Sequence, residues 1–159
     1  MITIGLDQST KRSAYSVYDD GKLIDYGTIF ADENEKNPYT RMKQMHDGLQ
    51  KMFARYRPEH VAIEQIQYQS NKHAYMILGN MQGVVFGILY SLDIPFTVVE
   101  ASKWRSHVGI KPTNKRAILK QEAIKMVSEV YHVEASEDES ESILIGAWLC
   151  DMIAAKKGN

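Results

Sequence analysis

Cysteine is almost missing from this chain: Cys150 is the only one among 159 residues. A single thiol excludes a disulfide framework or a cysteine-based zinc site within one chain, and it suits a reducing, cytoplasmic setting. Histidine is present but dispersed. His46, His60, His73, His107 and His132 show no metal-ligand spacing such as H-x-x-x-H. No basic segment opens the sequence ahead of an apolar one, so no signal peptide is expected. The longest apolar helical stretch, around residues 76–92, is broken by Asn80, Gln82 and three glycines, which argues against a membrane span. Repeats, low-complexity tracts and linkers are also lacking. The expectation is therefore a single domain over residues 1–159, with the ordinary globular balance of 44% hydrophobic and 25% charged residues.

An overall excess of positive charge is missing too, since the net charge is −1. The distribution is uneven, however. Over residues 101–126 the basic residues are Lys103, Arg105, Lys111, Lys115, Arg116, Lys120 and Lys125, against one acid, Glu122. Over residues 127–142 there are Glu129, Glu134, Glu137, Asp138, Glu139 and Glu141, with no Lys or Arg. Two solvated helix faces would give such blocks. So would a protein that grips phosphates with one block and holds a metal with the other.

Apolar alternation places strands at residues 2–6, 14–18 and 22–30, the last two joined by the hairpin signal Asp19-Asp20-Gly21. Asn37-Pro38 reads as an N-cap followed by proline at the first helical position. The helix carries Met42, Met45, Leu49, Met52 and Phe53 at helical spacing and ends near Tyr56. Residues 61–64 form a fourth strand, and a Gln/Asn-rich loop leads into a long helix ending near Leu92. Gly79, Gly83 and Gly87 fall on one face of that helix, a smooth stripe for close approach of a sheet or another helix. A fifth strand spans 95–100. A helix capped at Thr113 or Asn114 runs to about Tyr131, and a last one runs from Ser136 to about Ala155. The order is βββαβαβαα, an α/β fold.

Four acids stand at telling places in this pattern. Asp7 ends the apolar run Ile2-Thr3-Ile4-Gly5-Leu6, Glu64 ends Val61-Ala62-Ile63, and Asp138 and Glu141 lie three apart at the start of the last helix. Ser136 and Glu139 form a capping-box pattern, making Ser136 the N-cap. On a wheel of about 100° per residue, Asp138 and Glu141 (about 300° from it) share the face of Ile145, Trp148, Leu149 and Met152. Glu139 falls on the solvent side, and Glu137 at the margin. Each acid alone has a mundane reading, as a helix-dipole acid or a strand-end acid. Together they place carboxylates from three elements at one sheet edge, where they repel and resist desolvation unless a cation is shared. Oxygen ligands suit Mg²⁺, with Mn²⁺ as substitute. The matching chemistry is phosphodiester hydrolysis by two cations about 4 Å apart. Asp7 would bridge them, Glu64 would bind one, and Asp138 with Glu141 the other. No cysteine or histidine nucleophile is needed; His107 is the one histidine placed to test as a DNA contact.

The segments ITIGLDQS, VAIEQ and SEDESESILIGAW, in this order and spacing, resemble the RuvC-type Holliday-junction resolvases, phage-encoded members included. The likeness covers nearly the whole chain. It implies a ribonuclease-H-like fold, with a central five-stranded mixed sheet flanked by helices. It implies a metal-dependent endonuclease that cleaves branched DNA, acting as a homodimer on Holliday junctions. The family's first catalytic aspartate maps onto Asp7 and its glutamate onto Glu64. The final acidic pair, usually D-x-x-D, maps onto Asp138 and Glu141, with glutamate as the second member. A basic residue after Gly109-Ile110 maps onto Lys115, and a second maps onto either Lys103 or Arg105. Tyr68, offset by one from the family's aromatic after the EQ pair, is the candidate to stack on bases at the crossover. DNA phosphates would then lie along Lys103, Arg105, Lys111, Lys115 and Arg116. The helix with the glycine stripe would lie near the dimer interface.

Other readings share these residues. Gly5-Leu6-Asp7-Gln8-Ser9-Thr10 also resembles the phosphate loop of actin-like sugar kinases, which need two such lobes. A ribonuclease-H-like nuclease acting on structured RNA, or a DNA-binding module without catalysis, would use the same charge layout.

Overall fold

The computed structural model describes residues 1–158. Its elements, in chain order, are β1 (Ile2–Asp7), β2 (Arg12–Asp19), β3 (Lys22–Phe30), α1 (Pro38–Tyr56), β4 (His60–Glu64), α2 (Lys72–Ser91), β5 (Phe96–Val99), α3 (Ala101–Val108), α4 (Arg116–Tyr131) and α5 (Glu137–Lys157). They form an α/β architecture around one mixed sheet of order β3-β2-β1-β4-β5. β1 is antiparallel to β2 and parallel to β4, and β5 continues the parallel run. The β2–β3 hairpin closes through Asp20 and Gly21, both at positive φ (46° and 81°). A two-residue turn with that handedness matches the twist of the strands it joins.

Strand alternation sorts the core into two layers. Ile4, Leu6, Val17, Val61 and Ile63 point to one face of the sheet, where they pack with Met45, Leu49 and Phe53 of α1 and Met81, Val85 and Leu89 of α2. α2 is long and apolar enough, by length and composition, to cross a membrane; here its buried residues lie in this core layer. The opposite face receives α5, with Ala62, Trp104, Ile143, Ile145, Trp148 and Leu149 in the second layer. α5 lies against the strands backbone to backbone. A Cβ on Gly5 would strike the Ser142 carbonyl and the Gly146 backbone, and a Cβ on Gly146 would strike the Tyr18 ring and Ser16 Oγ. Ser16 Oγ donates to the Ser142 carbonyl (2.7 Å), and Tyr18 Oη to that of Ile143 (2.7 Å).

Several expectations need correction. The segment after β5 is helical: α3, expected as loop, makes the order βββαβαβααα. α4 starts from Lys115 as N-cap, without a side-chain capping bond, while Thr113 Oγ1 accepts from the Lys115 N–H (3.2 Å). α5 is buried all round from Ser140 to Gly146 and not along one stripe, because α3 and α4 cover the side turned away from the sheet. Among the described residues, the glycine stripe of α2 meets no sheet or helix. A Cβ at Gly79 would touch Ile66 alone, and at Gly83 and Gly87 it would meet open space.

Candidate active site

Parallel register brings the first two acids together. Gly5 faces Ala62 and Leu6 faces Ile63, so Asp7 and Glu64 arrive side by side where β1 and β4 end. Alternation turns both toward the α5 face of the sheet. The start of α5 is set by its cap. Ser136 Oγ accepts from the Glu139 N–H (3.2 Å), and the Glu139 carboxylate accepts from the Ser136 N–H (2.9 Å). Glu139 also accepts from Thr28 Oγ1 (3.1 Å), so it is committed to structure. Asp138 and Glu141 lean toward β1. One carboxylate oxygen from each of Asp7, Asp138 and Glu141 lies within 4.8 Å of the others, a group able to hold a metal ion. Glu64 stands beside this group, with one oxygen accepting from the Trp104 indole N–H (2.8 Å).

Electrostatics follows from this crowding. Burial, and then the carboxylates of Glu64, Glu141 and Asp138, hold the Asp7 pKa well above its ordinary value, with Lys120 opposing. Burial and Glu141 raise Glu64 as well, against the Trp104 hydrogen bond and the positive charges of Arg105 and Arg116. A site that pushes its own acids toward protonation is short of positive charge. Oxygen donors in this number suit a hard divalent cation.

The cleft over these acids is walled by cations: Arg12, Arg105, Arg116 and Lys120 all line it. Arg12 Nε lies 2.7 Å from Asp138 Oδ2, Arg105 Nη2 lies 3.0 Å from Glu141 Oε1, and Lys120 Nζ lies 2.8 Å from Glu137 Oε2. Glu137 is thus held by Lys120, outside the three-acid group. The Arg105 guanidinium also sits 4.9 Å from the centre of the Trp104 ring.

Of the residues expected along DNA, Arg105, Arg116 and Tyr68 line the cleft. Between Lys103 and Arg105, left open in the sequence, only the second reaches it. Tyr68 is 76% exposed on the loop between β4 and α2, its ring 5.7 Å from that of Tyr75. Lys103, Lys111 and Lys115 are exposed and do not line the cleft. His107 bonds Asp151 (2.8 Å), well along α5 from the acids. Sequence reasoning missed Arg12, Trp104 and Lys120 as members of the site. Lys120 had a signal, since Arg116 and Lys120 are an i, i+4 pair on one helix face. Trp104 and Arg12 had none, as their reach depends on tertiary packing.

Comparison with known proteins gives the arrangement its context. The family model "Crossover junction endodeoxyribonuclease RuvC" matches residues 3–143. The RuvC protein of Polynucleobacter asymbioticus is 28% identical over 151 residues, covering 92% of this chain and 86% of that protein. That of Geotalea uraniireducens is 27% identical, covering 91% and 85%. In fold, the chain is similar to T. thermophilus RuvC in complex with a Holliday junction substrate (TM-score 0.78, 16% identity, 99% of this chain, 96% of that one). It is also similar to the yeast mitochondrial Holliday junction resolvase Ydc2 (TM-score 0.67, 16% identity, 98% and 80%). With the family pattern running from the first strand into the acidic helix, this chain belongs to the RuvC family of crossover junction endodeoxyribonucleases.

Proposed function

We propose that this chain is a Mg²⁺-dependent endonuclease that resolves Holliday junctions and related branched DNA, a single nuclease domain over residues 1–159 working as a homodimer. The observation that carries this reading is the gathering of Asp7, Asp138 and Glu141 oxygens within 4.8 Å, beside Glu64, in a cleft walled by arginine and lysine. Asp7, Glu64, Asp138 and Glu141 would hold Mg²⁺, with Mn²⁺ substituting. When bound, such cations activate a water and neutralise charge developing on the phosphate. The chain's own groups do the rest. Trp104 fixes the rotamer of Glu64 by its hydrogen bond. Arg105 and Arg116 face the phosphates, with Lys103 and Lys111 as outer contacts that position the strand without reading sequence. Lys115, exposed at the head of α4 and outside the cleft lining, is the candidate catalytic lysine. Tyr68 offers an exposed ring at the rim for an unpaired base.

Support for a dimer comes from α2. Its face at Gly83 and Gly87 is open, and Tyr90 beside it is 69% exposed. No observation favours structured RNA or a sugar-kinase role. The test is incubation with Mg²⁺ and synthetic four-way, three-way and linear DNA, with the cuts mapped and the mass in solution measured. Symmetric cuts near the branch point by a dimer are expected. Equal cutting of linear duplex would overturn the reading.

A further inference from the structure

Arg12 has a place in the cleft that its position in the sequence does not suggest. Register pairs Asp7 with Ala14, so Arg12, two residues before Ala14 on β2 and on the same face, projects past the end of β1 over the acids. Its backbone is pinned. The Arg12 N–H donates to Ser9 Oγ (3.2 Å), Ser13 Oγ donates to the Ser9 carbonyl (3.0 Å), and the Ala31 N–H donates to the Lys11 carbonyl (2.9 Å). What can move is the side chain, and its guanidinium sits 2.7 Å from Asp138.

Two cations are bonded to acids of the three-carboxylate group, and they differ in kind. Arg105 and Glu141 are 15% and 8% exposed, a buried pair. Arg12 and Asp138 are 60% and 22% exposed. Burial fixes the first pair, because parting it would leave a charge without water or partner. The second is within reach of solvent and ligand, and exposed pairs bind weakly. Asp138 belongs to the three-carboxylate group, so a divalent cation held there would stand beside the Arg12 guanidinium on the same carboxylate, and two positive charges there repel. A phosphate, in turn, offers the guanidinium fork a better-matched anion.

We propose that Arg12 is an exchangeable counter-ion. It neutralises Asp138 in the DNA-free protein, transfers to a backbone phosphate of bound DNA, and so frees Asp138 for the cation. DNA binding and cation binding then strengthen each other through one side chain, and by linkage the coupling is equal in both directions. Arg12 is in these terms a positioning residue, and its role rests on the nuclease reading given above.

The experiment uses Arg12→Ala and Arg12→Lys in the full chain, each checked by thermal melting, which an exposed side chain leaves near that of the unaltered protein. Mn²⁺ binding is measured by calorimetry without DNA. Affinity for a four-way junction is measured by fluorescence anisotropy, in EDTA and in Ca²⁺, over a salt series. Arg12→Ala is expected to bind Mn²⁺ about two- to five-fold tighter without DNA, the range that loss of an exposed pair allows. It binds the junction more weakly, with a salt slope smaller by about 1, the signature of one lost phosphate contact. The gain in junction affinity that Ca²⁺ gives the unaltered protein shrinks. Arg12→Lys restores the salt slope. If Arg12→Ala leaves Mn²⁺ affinity unchanged or weaker, Arg12 is not Asp138's counter-ion and the proposal fails, although the unaltered chain still binds the junction. If the unaltered chain shows no preference for the junction over linear duplex, the nuclease reading itself fails and the proposal falls with it.

Discussion

Asp7→Asn is expected to make the cation-free protein more stable while abolishing its cutting activity. Asp7 oxygens lie within 4.8 Å of those of Asp138 and Glu141. At an effective dielectric of about 20, one like-charge pair at that distance costs about 3 kcal/mol. Arg12 and Arg105, bonded to the other two acids, cancel much of this. A net gain of about 1–2 kcal/mol from removing the Asp7 charge remains, which for a chain of this length raises Tm by about 2–8 °C. The pH dependence has a definite sign. The folded-state pKa of Asp7 is raised above its ordinary 3.8, so below that value the residue is protonated folded or unfolded and the variant has no advantage. As pH climbs from the ordinary value to the raised one, the unfolded chain releases its proton first and the unaltered protein loses stability relative to the variant. Beyond the raised value the difference is constant. Calorimetric melts in EDTA across this range, repeated with Mg²⁺, measure it. With Mg²⁺ the order reverses, since the unaltered protein alone gains the full binding energy. An Asp7→Asn protein that melts at or below the unaltered one in EDTA at neutral pH would refute the claim that these carboxylates repel. Persistent cutting would refute the role of Asp7.

Tyr68→Ala removes an exposed ring and is expected to lower junction affinity or cutting by about 1–3 kcal/mol without shifting Tm by more than a degree or two; a large fall in Tm would mean the ring is structural. Lys115→Ala is expected to slow cutting at least ten-fold under single turnover while leaving the fold intact, and unchanged rates would remove this lysine from the site. Gly146→Ala forces a methyl into the Tyr18 ring and Ser16 Oγ, so it is expected to cost about 1–3 kcal/mol in a denaturant melt, whereas an unchanged midpoint would show that α5 can lift off the sheet freely. Trp104→Phe leaves the ring packing but frees the Glu64 oxygen, and is expected to raise the Mg²⁺ concentration needed for half-maximal cutting several-fold.

Much of the fold could be read from residue order because alternation is a local property. Ile2, Ile4 and Leu6 fall on one side and Thr3, Gly5 and Asp7 on the other, and the same parity in β4 puts Glu64 beside Asp7 once the two strands pair in parallel. The capping box of α5 was equally local and appears as expected at Ser136 and Glu139. α3 escaped notice because its eight residues bury only Ala101 and Trp104, too few for a period to show, and its N-cap Glu100 makes no side-chain capping bond. The all-round burial of the first turns of α5 was hidden for a different reason: Ser140 and Ser142 look like solvent-facing residues, yet Ser142 lies against Gly5 and Ser16 of the sheet, while α3 and α4 cover the far side of the helix. The pairing of Arg12 with Asp138, 126 positions apart in the chain and brought together by β2 and α5, could not be inferred from either neighbourhood.

The three-acid group joins the first strand of the chain to its last helix. During synthesis, Asp7 leaves the ribosome early and waits through every intervening element before Asp138 and Glu141 emerge. A nascent or prematurely terminated polypeptide therefore carries half a set of ligands and no means of hydrolysis. On that reading, hydrolysis waits until α5 has been made and has packed against β1, a delay that comes from the order of the elements alone.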